Sequence, residues 1–138
     1  MDYPVGAETI YMNKVKTMVW IGQGLLFLNA LLWLVPGLAG LLGYNPFRGV
    51  PFWIVLVISG GMILYGGILI LVGILLRLRR KVYYFTAVIL MGMSILLPVF
   101  DDFGMADLIV VVPAICTLIF LLFNMKVLSD TTSTKPGL

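Results

Sequence analysis

The chain lacks histidine altogether and has a single cysteine, Cys116, among its 138 residues. The absence of histidine removes the commonest metal ligand and the usual proton shuttle near neutral pH. A lone cysteine excludes an internal disulfide, a Cys-x-x-Cys redox pair and a structural zinc site. We therefore expect no metal site, and we expect Cys116 to be a small buried hydrophobic residue.

Charge is also scarce, because only 11% of the residues are charged and 62% are hydrophobic. A soluble domain carries about 25% charged residues. The charged residues leave four uncharged segments, at 17–47, 49–76, 82–100 and 108–125. Each is at or near the roughly 18–20 apolar residues that a helix needs to cross a bilayer. The sequence therefore predicts an all-α, multi-pass integral membrane protein.

The predicted architecture is an antiparallel up-down bundle of four transmembrane helices. The spans are expected at about 18–42, 52–76, 82–99 and 106–127, in one domain over residues 1–128, followed by a polar tail over 129–138. Proline sets the expected helix limits. We expect Pro36 to kink or end the first helix, Pro51 to lie in the first turn of the second, and Pro98 to end the third.

Basic residues are distributed unevenly about these spans. Eight of the nine Lys and Arg residues flank one side, and Arg48 alone lies on the other. The positive-inside rule then predicts both termini in the cytoplasm of a bacterial-type plasma membrane. Four basic residues between the second and third spans are expected to fix this topology and to attract anionic lipids: Arg77, Arg79, Arg80 and Lys81.

Small residues recur along the second predicted helix at a spacing of seven. They are Ser59, Gly66 and Gly73, with Gly60 and Gly67 beside them. Seven residues are nearly two helical turns, so these residues should form one strip that a neighbouring backbone can approach closely. We expect the strip to pack against the first and third helices. The alternatives are packing against another copy or a different subunit, and a cofactor or lipid tail lying in the groove.

Polar side chains fall at matching depths in the first three spans. Asn29, Tyr65 and Ser94 are predicted to form a layer at mid-membrane, with Gln23 and Thr86 nearer the basic side. Buried amides and hydroxyls need partners, so these groups should bond one another or backbone carbonyls. The alternative is that they bind the polar head of a lipid, a quinone or a carotenoid.

The interior of the spans contains no charged residue, which disfavours proton-coupled transport. No general base, nucleophile or metal set indicates an enzyme. The predicted function is that of an accessory or structural subunit of a larger membrane protein complex, with membrane lipids, other subunits or copies of itself as partners and no nucleic acid. The alternative is a small homo-oligomeric transporter, channel or carrier of a lipophilic ligand; a lipid, quinone or carotenoid is then the candidate ligand.

Overall fold

The computed structural model describes residues 5–44, 49–100 and 105–130. Over those ranges the chain forms four α-helices and no strand. The helices are α1 (Val5–Leu41), α2 (Phe52–Leu75), α3 (Lys81–Phe100) and α4 (Met105–Asp130), and a 3₁₀ helix, Leu76–Leu78, follows α2 directly. Each α-helix is long and apolar enough to cross a membrane, which confirms the predicted helical class. Arg48 and the tail beyond residue 130 lie outside the described residues.

The first helix is longer than predicted. It has 37 residues, starts at Val5 rather than near residue 18, and continues through Pro36 to Leu41. The prediction that Pro36 could end the helix is wrong, because the proline removes one backbone donor while the surrounding apolar turns stay helical. The helix ends in a Schellman motif, in which the Tyr44 N–H donates to the Ala39 carbonyl (3.0 Å) and Gly43 has a φ of 88°.

Two further proline predictions are also corrected. Pro98 lies inside α3, which continues to Phe100. Pro51 precedes α2 instead of lying in its first turn, and its carbonyl accepts the N–H of Ile54 at 3.0 Å. Pro51 therefore caps the helix through its carbonyl group, while its own missing donor lies outside the helical hydrogen bonds.

The helices contact one another through small and apolar residues. Helix α1 packs against α2 and α4, and α3 packs against α4 and α2. The fully buried large side chains come from every helix and from the 3₁₀ turn, and include Leu26, Leu69, Leu76, Met91 and Leu121. Many large apolar side chains point outward, as in Leu64, which is 68% exposed. This distribution suits a chain whose outer surface meets lipid or another protein.

Candidate functional site

One polar pair joins α1 to α4 in the interior. The Asn29 side-chain amide donates to the Thr117 hydroxyl and to the Leu25 carbonyl, both at 2.8 Å. Thr117 donates in turn to the Pro113 carbonyl at 2.7 Å. Asn29 and Thr117 are both fully buried, and the Asn29 Oδ1 atom has no hydrogen-bond partner within the described residues.

A second polar pair joins α2 to α3. The Tyr65 hydroxyl lies 2.6 Å from the Ser94 hydroxyl and also donates to the Leu90 carbonyl. The Trp33 ring of α1 packs edge-on against the Tyr65 ring, with centroids 5.1 Å apart. The structure therefore brings Tyr65 and Ser94 together, but it pairs Asn29 with a different residue.

The partner of Asn29 is a residue that the sequence reasoning missed. Thr117 lies in the fourth predicted span, which contributes no residue to the predicted polar layer. Thr117 lies 10 residues before the predicted end of the fourth span at 127, and Asn29 lies 11 residues after the predicted start of the first span at 18, so the two fall at nearly the same depth. That signal was available in the sequence. The interior thus contains two separate polar pairs in place of one shared layer.

The predicted strip of small residues on α2 divides into two rows. In the packed row, Ser59, Gly66 and Gly73 are buried. A Cβ atom added at Gly66 would lie 2.7 Å from Leu34 Cγ and 3.1 Å from the backbone oxygen of Ala30. Glycine at this position therefore allows α1 to approach α2 closely.

The other row faces away from the rest of the chain. Gly60 and Gly67 are exposed, and an added Cβ atom would meet no atom within 4 Å at either position. Their predicted packing against the first and third helices is wrong, because they lie about 100° around α2 from the packed row. They belong to the Gly60 face, an exposed row along α2 and the 3₁₀ turn that comprises Trp53, Val57, Gly60, Leu64, Gly67, Leu71, Ile74 and Leu78.

Gln23 connects α1 to the C-terminal end of α2. Its buried side-chain amide donates to the Gly73 carbonyl at 2.7 Å, and its oxygen accepts the Nε–H of Arg77 at 3.4 Å. The Arg77 guanidinium also lies over the Trp20 ring, 5.3 Å from the ring centroid. A buried amide thus holds an arginine at the end of the α1–α2 pair.

A pocket of about 300 Å³ lies at this end, which we call the basic end. It is lined by Lys16, Val19, Trp20, Gln23, Arg77 and Arg79. Of the four basic residues predicted to act together, Arg77 and Arg79 line the pocket, whereas Arg80 and Lys81 do not. Lys16 of α1 lines it as well. Lys16, Trp20 and Gln23 have the spacing i, i+4, i+7 of one helix face, which is a signal that could have identified them.

A larger cavity of about 430 Å³ lies at the opposite end, where α1 and α3 finish. Its walls come from all the α-helices and include Trp33, Pro36, Gly61, Tyr65, Pro98 and Asp107. Leu32 also lines the cavity, and its carbonyl lacks the usual helical donor because residue 36 is proline. The cavity is large enough for a lipophilic ligand of ordinary drug size.

Cys116 is exposed on α4, so the expectation that it is buried is wrong. Among the described residues there is no group of three metal-ligating side chains. A comparison with known protein families, with curated proteins and with solved structures found no match to this chain. The functional proposal therefore depends on the geometry of the chain itself.

Proposed function

We propose that this chain is an accessory subunit of a larger membrane protein complex and has no catalytic activity of its own. The helices would form an up-down antiparallel bundle in a bacterial-type plasma membrane, with both termini in the cytoplasm. The uneven distribution of Lys and Arg along the sequence supports that orientation. The short connections between consecutive helices support the alternating direction.

The Gly60 face is the observation that carries this proposal. The sequence spacing between its successive residues alternates between four and three, as it does along the contact line of two helices that cross with a left-handed twist. Glycine inside a helix costs about 1 kcal/mol relative to alanine, yet among the described residues no other element lies within 4 Å of a Cβ atom added at Gly60 or Gly67. Close approach of a helix from another protein gives both glycines a role, because small residues let membrane helices pack backbone to backbone.

A photo-crosslinking amino acid in place of Leu64 tests the proposal. Leu64 is on the Gly60 face, whereas Phe85 on α3 and Ile109 on α4 are comparably exposed elsewhere. In native membranes, we expect only the Leu64 variant to form a discrete crosslinked product. The mass of that product should differ from the mass of two copies of the chain. Equal labelling at all three positions would mean that the face contacts only lipid.

Bulky substitutions provide the matched control. Gly60→Leu with Gly67→Leu should abolish the adduct and the co-purification of its partner in mild detergent. Gly24→Leu should preserve both, because Gly24 is an exposed glycine of α1 that also has open space around it. An adduct with twice the mass of the chain would instead favour a homo-oligomer.

The cavity lined by Trp33 and Tyr65 supports a second candidate function, the binding of a lipophilic ligand such as a quinone, a carotenoid or a lipid. Gly61 lines this cavity and has no neighbour within 4 Å of an added Cβ atom. Gly61→Phe should therefore fill the cavity and remove a co-purifying ligand, as detected by mass spectrometry of solvent extracts. Gly24→Phe is the control and should retain the ligand.

A further inference from the structure

The pocket at the basic end collects positive charge from two separate elements. Lys16 belongs to α1, whereas Arg77 and Arg79 belong to the 3₁₀ turn and its end. None of the described residues that line the pocket is acidic. The three positive charges surround a pocket of about 300 Å³ and repel one another. An anion bound in the pocket is therefore stabilised by all three.

Arg77 is held in a defined orientation at the wall of this pocket. Its Nε–H donates to Gln23 Oε1 at 3.4 Å, and its guanidinium lies over the Trp20 ring. Gln23 is itself fixed by its bond to the Gly73 carbonyl. The bond from Nε uses one of the five N–H groups of the guanidinium. A planar guanidinium oriented in this way matches the oxygens of a phosphate group.

Arg79 is the second arginine of the pocket and has an unusual backbone. Its φ is 51°, in the left-handed region, at the position that ends the 3₁₀ helix. Glycine is the residue that normally takes this conformation where a helix ends. A glycine here would relieve the strain, but it would also remove one of the positive charges of the pocket. Strained residues of this kind are concentrated at functional sites.

We propose that this pocket binds the phosphate headgroup of an anionic phospholipid. The pocket includes the apolar Val19 and the exposed ring of Trp20 beside its basic residues. Tryptophan favours the boundary between hydrocarbon and headgroups, and basic pockets between membrane helices recognise anionic headgroups. A lipid satisfies both features, because its phosphate meets the cations while its acyl chains follow the apolar helices. This site is independent of the partner helix proposed above.

The proposal is tested by charge-matched variants in nanodiscs made from phosphatidylcholine and phosphatidylglycerol. Lys16→Gln with Arg79→Asn removes two cations from the pocket, and asparagine tolerates the left-handed backbone of residue 79. Arg80→Asn with Lys81→Gln removes two cations that do not line the pocket. By native mass spectrometry, we expect the first pair to lower phosphatidylglycerol binding by about tenfold or more, and the second by less than about threefold.

An equal fall for the two pairs, or no fall for either, would overturn the proposal. Lys16→Gln alone, on an exposed side chain of α1, is the second variant if the first pair unfolds in phosphatidylcholine, and it should still weaken binding more than Lys81→Gln. Competition with inorganic phosphate shows whether the pocket prefers a lipid headgroup or a soluble phosphate. If millimolar phosphate displaces the bound lipid, the pocket takes a soluble phosphate and the lipid assignment is wrong; if it does not, the lipid assignment is supported.

Discussion

The two rows of small residues on α2 have nearly the same composition but opposite surroundings. Gly66 and Gly73 touch α1 so closely that a Cβ atom added at either would lie within 3 Å of a side-chain atom of that helix. Gly67, one residue after Gly66, and Gly60, one residue after the buried Ser59, have no atom of the described residues within 4 Å of an added Cβ atom, apart from their own helical turn. Glycine therefore marks two different surfaces, one that holds the chain together and one that is available to a partner.

The largest expected effect comes from Gly66→Leu. The new side chain would overlap Leu34 and the Ala30 carbonyl, and the backbone oxygen has little room to move. We expect the free energy of unfolding to fall by about 3 kcal/mol or more, the upper range for overpacking. Denaturant titration in micelles, followed by circular dichroism, measures it. Gly67→Leu is the control, and a similar loss there would contradict the division into two rows.

Gly73→Ala should have an intermediate effect. Its Cβ atom would lie 2.9 Å from Phe27 Cε1, and Phe27 is 36% exposed, so the ring can shift outward. We expect a loss of about 1–2 kcal/mol, measured by the same titration. Combining it with Phe27→Leu should recover most of that loss, because the obstructing ring is gone. No recovery would mean that the Cβ atom disturbs the Gln23 bond to residue 73 instead.

Gly60→Ala should change stability in the opposite direction. The methyl group meets open space, and alanine is a better helix former than glycine. We expect the isolated chain to gain between zero and about 1 kcal/mol in free energy of unfolding. Thermal unfolding of the purified chain, with its partner removed, gives this value. A clear loss of stability would show that residue 60 packs within the chain after all.

The smallest loss of stability is expected for Thr117→Val in α4, which removes the hydroxyl that accepts from Asn29 of α1. The Asn29 amide keeps its bond to the Leu25 carbonyl. The loss should be about 0.6 kcal/mol, the average for a hydrogen bond between membrane helices. A loss larger than that for Gly73→Ala would make the α1–α4 polar pair, and not the packed row, the main contact of α1. Asn29→Leu with Thr117→Val, in a double-mutant cycle, isolates the pair.

The distribution of charge was sufficient to predict four helices long and apolar enough to cross a membrane, since a charge costs several kcal/mol in hydrocarbon and its absence is a strong signal. The sequence could not separate the two rows on α2. That helix is apolar around its whole circumference, so no polar side indicates which face is inward. Pro36 and Pro98 lie inside their helices, contrary to the prediction that they end them, because the neighbouring turns of an apolar helix tolerate one missing donor.

The pairing of side chains was harder to predict than the helices. Their positions along the spans predict Tyr65 and Ser94 at the same depth, and in the structure their hydroxyls are hydrogen-bonded. The rotation of each helix about its axis decides which residues at one level meet, and spacing alone does not fix that rotation. Asn29 therefore meets Thr117, and Lys16 joins the arginines that follow α2.

The length of α1 has a mechanical consequence. Its 37 residues extend for about 55 Å at 1.5 Å per residue, whereas the hydrocarbon core is about 30 Å thick. No break separates the polar first turns from the apolar ones, so the helix acts as a single rod. A tilt imposed on α1 within a bilayer would therefore move residues 5–13 together with the rest of the helix, and the displacement would grow toward Val5.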